Sequence, residues 1–174
     1  MILTLSQLNA CMPYAGERAA IYLECLNTAM HERNIDTAQK QAAFLAQIAH
    51  ESGSLRYTLE IADGKAYEGR KDLGNTHVGD GPRYKGRGLL QVTGRSNYEA
   101  CGFALGRNLI SDPEYLETPM GASRSATWFW DSKGLNSHAD KDAFGTITKI
   151  INGGYNGLDD RIRHYLKCRK ALGL

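Results

Sequence analysis

Asp36-Thr37-Ala38-Gln39-Lys40-Gln41-Ala42-Ala43-Phe44-Leu45-Ala46-Gln47-Ile48-Ala49-His50-Glu51-Ser52-Gly53 decides the fold class of this chain. Its first four residues read as a capping box, with Asp36 at the N-cap and Gln39 reaching back. The run that follows is built from Ala, Gln and Leu, all strong helix formers. Ala42, Leu45, Ala46 and Ala49 recur at i, i+3, i+4 and i+7, and Phe44 and Ile48 widen that stripe until it suits a helix buried in a core. Gly53 supplies the stop. Glu51 then falls on the last turn, where the negative end of the helix dipole and apolar neighbours disfavour a carboxylate. That is the condition a general acid needs. The plainer alternative is a solvated Glu at a helix end.

Away from this stretch the pattern stays helical. Thr4-Leu5-Ser6-Gln7 is another capping box, opening a short helix that stops before Pro13. Glu17 to Arg33 keeps helical spacing, and so do Ser96 to Leu105, Ala122 to Lys133, Asp140 to Ile151 and Leu158 to Leu172. Trp128, Phe129 and Trp130 are expected in the core. Ser54 to Glu60 reads as a short strand or one more helical turn. Asp63 to Pro82, rich in glycine and charge, reads as a long surface excursion, a kind of segment that is usually functional or mobile. Tyr84 to Gly94 is punctuated by glycines and ends in a β-prone run, with Gly86 and Gly88 allowing close backbone approach. The expected architecture is a single mainly α domain over residues 1–174, with a small β element on loops near the middle.

Composition narrows the class. The chain has 174 residues, 42% of them apolar and 23% charged, which is ordinary for a globular protein with a real core. A formal net charge of +2 argues against bulk nucleic-acid binding. Basic residues are nevertheless bunched: Arg83, Lys85, Arg87 and Arg95 lie in an acid-free stretch, as do Arg161, Arg163, Lys167, Arg169 and Lys170. Such stretches suit an anionic polymer or membrane surface, and also plain solvated faces. Cys11, Cys25, Cys101 and Cys168 form no C-x-x-C pair and read as reduced, mostly buried thiols. Neither a signal peptide nor a run long enough to span a membrane is visible, so synthesis in the cytoplasm is expected.

Several chemistries fail on spacing. His50-Glu51 lacks the second His of H-E-x-x-H, because position 54 is Ser. His31, His77, His138 and His164 are unclustered, and no phosphate-binding loop or local nucleophile signature occurs. No metal or organic cofactor is expected. Carboxylates remain: Glu51, Glu60 and Glu68, with Asp63 between the last two, flank a turn and a loop. Glycoside hydrolysis needs one protonated carboxyl at the leaving oxygen and a second carboxylate across the cleft.

Three segments carry a resemblance. His50-Glu51-Ser52-Gly53, then Tyr84-Lys85-Gly86-Arg87-Gly88-Leu89-Leu90-Gln91-Val92-Thr93, then Ile151-Asn152-Gly153-Gly154 resemble, in order, the cleft motifs of the family 19 chitinase/lysozyme glycoside hydrolases. The short stretch between the first two acids is similar to phage endolysins of that family. The resemblance implies an α+β lysozyme-like fold whose helical domain, small β element and loops form the cleft. It implies Glu51 as general acid, Glu60 as second acid with Glu68 in reserve, and Thr93 as a hydroxyl holding the attacking water. Gln91 and Asn152 match sugar-contacting residues, and Arg161 a charged residue supporting the acidic pair. Tyr84 and Arg87 are cleft candidates or fix the motif's turn.

The implied reaction is inverting hydrolysis of β-1,4 bonds between amino sugars. The basic stretches favour peptidoglycan over neutral chitin. A phage origin implies accumulation in the host cytoplasm, holin-dependent release to the periplasm, and a monomer acting on the wall. Chitin hydrolysis, lytic transglycosylation and catalytically idle wall binding are the alternatives.

Overall fold

The computed structural model describes all 174 residues. Nine α-helices carry the fold: α1 (Leu5–Cys11), α2 (Arg18–Glu32), α3 (Ala38–Glu51), α4 (Asp80–Arg83), α5 (Arg95–Leu105), α6 (Pro119–Ser132), α7 (Leu135–Asp140), α8 (Phe144–Asn152) and α9 (Leu158–Ala171). Short 3₁₀ turns occupy Lys65–Tyr67, Lys71–Leu73 and Pro113–Glu117.

The stripe on α3 does what its spacing predicts. Every residue from Gln41 to Ala49 is buried, with α9, α1 and α7 packed around the helix. Phe44 meets Trp130 of α6 edge to face, with ring centroids 5.5 Å apart, and α6 in turn packs along α2. Cutting Phe44 back to alanine would cost about 3–5 kcal/mol, because the rigid helices around it cannot collapse into the void. A second, smaller core of Tyr84, Val92, Tyr98, Cys101, Leu109 and Leu116 lies beneath the middle of the chain. All four cysteines are free thiols, and Cys11, Cys101 and Cys168 are buried.

Local chemistry explains where the helix ends fall. α1 has both arms of its capping box between Thr4 and Gln7. At α3 the expected box does not form. Thr37, one residue later, is the N-cap, and its hydroxyl accepts from the Lys40 amide at 3.2 Å. Asp36 pairs with Lys40 instead, and Gln39 turns to Asp142 and Tyr165. α6 starts before Ala122 because Thr118 caps it and Pro119, with no N–H to satisfy, takes the first position. The helix expected over Asp140 to Ile151 begins only at Phe144, as α8, and α7, which was not expected, ends at Asp140 before it. Asp142 there takes a left-handed φ of +55° while its carboxylate accepts from the Tyr165 hydroxyl at 2.6 Å.

The middle of the chain differs most from expectation. The small β element amounts to two isolated bridges, Leu59 with Arg87 and Arg87 with Val92. Ser54 and Leu55 both have left-handed φ, so this segment is neither strand nor helix but a tight turn under the end of α3. The Ser52 hydroxyl holds that turn by accepting from the Leu55 amide at 2.8 Å. The excursion from Asp63 to Pro82 is pinned down rather than loose. Glu68 accepts from the amides of Gly79 and Gly81 at 2.7 and 2.8 Å, and the buried Asp80 pairs with Arg95 on α5.

Candidate active site

Glu51 closes α3, and Arg161 in the first turn of α9 comes to meet it. One guanidinium nitrogen donates to Glu51 Oε1 at 2.5 Å and the other to Gln47 Oε1 at 2.5 Å. Gln47 lies one helical turn before Glu51 on the same face of α3, and its amide nitrogen donates to the Thr148 hydroxyl of α8 at 2.9 Å. The Arg161 side chain is 1% exposed and that of Glu51 24%. The N–H groups of a buried guanidinium need acceptors, and Glu51, Gln47 and the Asn156 carbonyl supply them here. The carboxyl at the helix end is thus not freely solvated: Arg161, which the resemblance matches to a charged residue supporting the acidic pair, reaches it.

Glu60 is placed by the Leu59–Arg87 bridge. Its amide donates to the Gly86 carbonyl at 2.9 Å, and the Gly86 amide returns a bond to Glu60 Oε2 at 2.9 Å. The Tyr67 hydroxyl donates to the other oxygen at 2.8 Å. Burial, and then that carboxylate, push the Tyr67 phenol above its usual range. Gly86 is the point of convergence. A Cβ there would stand 2.5 Å from Gln91 Oε1, 3.1 Å from Glu60 Oε2 and 3.3 Å from Thr93 Oγ1. Gln91 holds a left-handed φ of +52° and donates to the Gly88 carbonyl, while the Thr93 hydroxyl donates to the Gln91 carbonyl. Gln91 and Thr93 also line a cavity of about 310 Å³ with Asn97, Trp128, Phe129 and Lys133. Trp128 and Phe129, expected inside, are half-buried at this cavity; Trp130 alone of the three is in the core.

Other expected residues are placed differently. Asn152 ends α8, half-buried, and its side-chain oxygen accepts from the amide of Asn156, whose carbonyl receives Arg161. Tyr84 and Arg87 are buried: Tyr84 donates to the Ile110 carbonyl, and Arg87 pairs with Glu117 and donates to the Arg83 carbonyl. They fix the turn, the second of the two roles their motif offered. Arg161, also buried, reaches Glu51 and does not contact Glu60 or open surface. Glu68 spends both oxygens on loop amides in the excursion, whereas Glu60 stands beside Gln91 and Thr93 at Gly86. No three His, Cys, Asp or Glu side chains gather as ligands for a metal ion. Gln47, Thr148 and Tyr67 were not singled out from sequence. A glutamine on the apolar face of α3 was the one available signal.

Residues 19–138 match the family described as chitinase class I. An Arabidopsis thaliana endochitinase is 40% identical over 76% of this chain, which spans 48% of that relative's length. A Haemophilus influenzae protein described as glycosyl hydrolase family 19 domain-containing is 29% identical over 90% of each chain. Chitinase C from Streptomyces griseus superposes with a TM-score of 0.80 at 26% identity, covering 99% of this chain and 77% of its own. A class IV chitinase from Zea mays shares the fold, with a TM-score of 0.81 at 23% identity over 99% and 94% of the two chains. The fold is the lysozyme-like, mainly α fold of chitinase-type glycoside hydrolases. The chain belongs to glycoside hydrolase family 19.

Proposed function

We propose that this chain hydrolyses β-1,4 bonds between amino sugars, with Glu51 as general acid and Glu60 as general base. The observation that carries the reading is the convergence of Glu60, Gln91 and Thr93 on Gly86, with Glu51 held by a buried arginine. Arg161 occupies Oε1 of Glu51, and Oε2 carries the proton given to the leaving oxygen as the bond to the anomeric carbon breaks. Glu60 takes a proton from water, oriented with the Thr93 hydroxyl, as the water oxygen bonds to that carbon from the opposite face. Glu51 ends as carboxylate and Glu60 as acid; proton exchange with solvent resets both. Gln91 and Asn152 are the sugar-contacting polar groups in this scheme.

As natural substrate we propose peptidoglycan. Lys133 lines the same cavity as Gln91 and Thr93, and Arg163, Lys167 and Lys170 are exposed on α9; these cations suit a polymer bearing peptide carboxylates. In this reading the enzyme accumulates in the cytoplasm of an infected host and acts as a monomer in the periplasm after holin-dependent release. Chitin is the second reading, favoured by the endochitinase names of several relatives.

The test is reducing-end release and loss of turbidity on permeabilised Gram-negative cells, beside cleavage of soluble chitin oligosaccharides. Glu51→Gln and Glu60→Gln should each lose about a hundredfold or more in kcat. Activity on chitin alone moves the substrate to the second reading. Full activity of Glu60→Gln with anhydro-sugar products turns the reaction into transglycosylation.

A further inference from the structure

α3 and α9 meet through two adjacent pairs of opposite polarity. His50 and Glu51 are consecutive on α3, and Asp160 and Arg161 are consecutive on α9. Beside the Arg161–Glu51 bond, His50 Nδ1 lies 2.7 Å from Asp160 Oδ2. His50 and Asp160 line a separate cavity of about 400 Å³ with Tyr14, Arg163 and Lys167, away from the one lined by Gln91 and Thr93.

The start of α9 depends on this contact. Gly157 is its N-cap, with a φ of +71° and no side-chain cap bond. A Cβ at Gly157 would stand 2.5 Å from His50 Cε1 and 2.6 Å from Nε2, so the imidazole packs on the backbone where the helix begins. Asp160 in that first turn receives His50 and, at 3.1 Å, Arg163. The His50 hydrogen bond holds the Asp160 carboxyl below its usual range. Arg161, the next residue, is then presented to Gln47 and Glu51 from a fixed helix end.

We propose that Asp160 and His50 form a positioning pair, which holds the first turn of α9 on the end of α3 and so seats Arg161 on one oxygen of Glu51, leaving the other for the proton. The inference rests on Glu51 as general acid. Neither His50 nor Asp160 touches the sugar. Their effect comes through geometry, where misplacing a catalytic group by on the order of 1 Å costs about a hundredfold in rate. The Asp160 carboxylate also fixes the tautomer, since Nδ1 must carry the proton to donate to it.

The experiment measures kcat and KM of the whole chain on a soluble chitin hexasaccharide. Asp160→Ala and His50→Leu, which break the pair, should each lower kcat about tenfold or more with KM within about twofold. The double variant should lose no more than either single change, because both remove one interaction. His50→Asn, whose side-chain amide falls near the place of Nδ1 and can donate to Asp160, should stay within about threefold of wild type. Glu51→Gln, run alongside, tests the acid on its own: if it stays fully active the acid assignment fails, whatever Asp160 does. With Glu51→Gln inactive, a folded Asp160→Ala whose kcat stays within about twofold overturns the positioning role. So does a His50→Asn as damaged as His50→Leu. If the breaking variants do not fold, proton–nitrogen correlation NMR on the wild type decides: Nδ1 of His50 must be protonated across about pH 5–8, and an Nε2–H tautomer there overturns the proposal.

Discussion

Gly86 shows what one missing side chain does for this site. Its neighbours are the far ends of Gln91, Glu60 and Thr93, not backbone. A methyl group there displaces flexible tips and leaves the two cores untouched. Gly86→Ala should therefore keep its melting temperature within about 3 °C of wild type while kcat falls about tenfold or more. Paired thermal melts and oligosaccharide kinetics check this, and an active Gly86→Ala would mean that the three side chains need not converge there. Glu51, Gln91 and Thr93 could be singled out because they sit in short motifs, where chemistry and chain order coincide; Glu60 lies in none of them and was named, with Glu68 in reserve, from the resemblance alone. Gln47 and Thr148 were not. Their role exists only once α8 and α9 have brought Thr148 and Arg161 to α3, from the far end of the sequence. Tyr84 and Arg87 were left between cleft and turn for the converse reason: a motif shows which residues a turn needs, but not which of them face inward.

At the scale of elements, α3, α8 and α9 are joined through the polar chain Thr148–Gln47–Arg161–Glu51. Gln47→Leu removes its middle and strands a buried guanidinium nitrogen and a buried hydroxyl. That costs about 1–3 kcal/mol, so the melting temperature should drop by about 2–8 °C, with activity falling as Arg161 loses its second anchor. Glu68→Ala should behave in the opposite way. It loosens the Asp63–Pro82 excursion, seen as faster amide exchange at Gly79 and Gly81, while kcat stays within about threefold of wild type. A hundredfold loss in Glu68→Ala would instead reinstate it as the second acid. Helical periodicity located most of the long helices because their buried faces were already patterned. It missed α7 and started α8 at Asp140 rather than Phe144; between them the Tyr165 hydroxyl on α9 engages Asp142. Nor did it foresee that a β-prone run would yield only bridges, since Gly88 and Gln91 turn the chain too sharply for a ladder to extend.

For the molecule as a whole, the excursion is joined to the smaller core through Asp80 and Arg95. Asp80 is buried, receives two guanidinium nitrogens at 2.9 and 2.6 Å, and also accepts from the His77 amide. The Arg95 guanidinium holds its carboxyl down to about 2, from an ordinary 3.8. A carboxyl whose pKa is lower in the folded state than in the unfolded chain stabilises the fold above the unfolded value. That stabilisation fades as pH falls through the folded value, here from about 4 to about 2. Arg95 is partly exposed, and with solvent screening the pair contributes about 1–2 kcal/mol at neutral pH. Asp80→Asn should show this deficit in urea unfolding at pH 7, and the gap to wild type should close as both proteins are taken towards about pH 2. A gap that stays constant through this range would place the stabilisation in hydrogen bonding that asparagine cannot reproduce, not in charge. The excursion would then be held to the smaller core by shape, and acid would release it no faster than the rest of the fold.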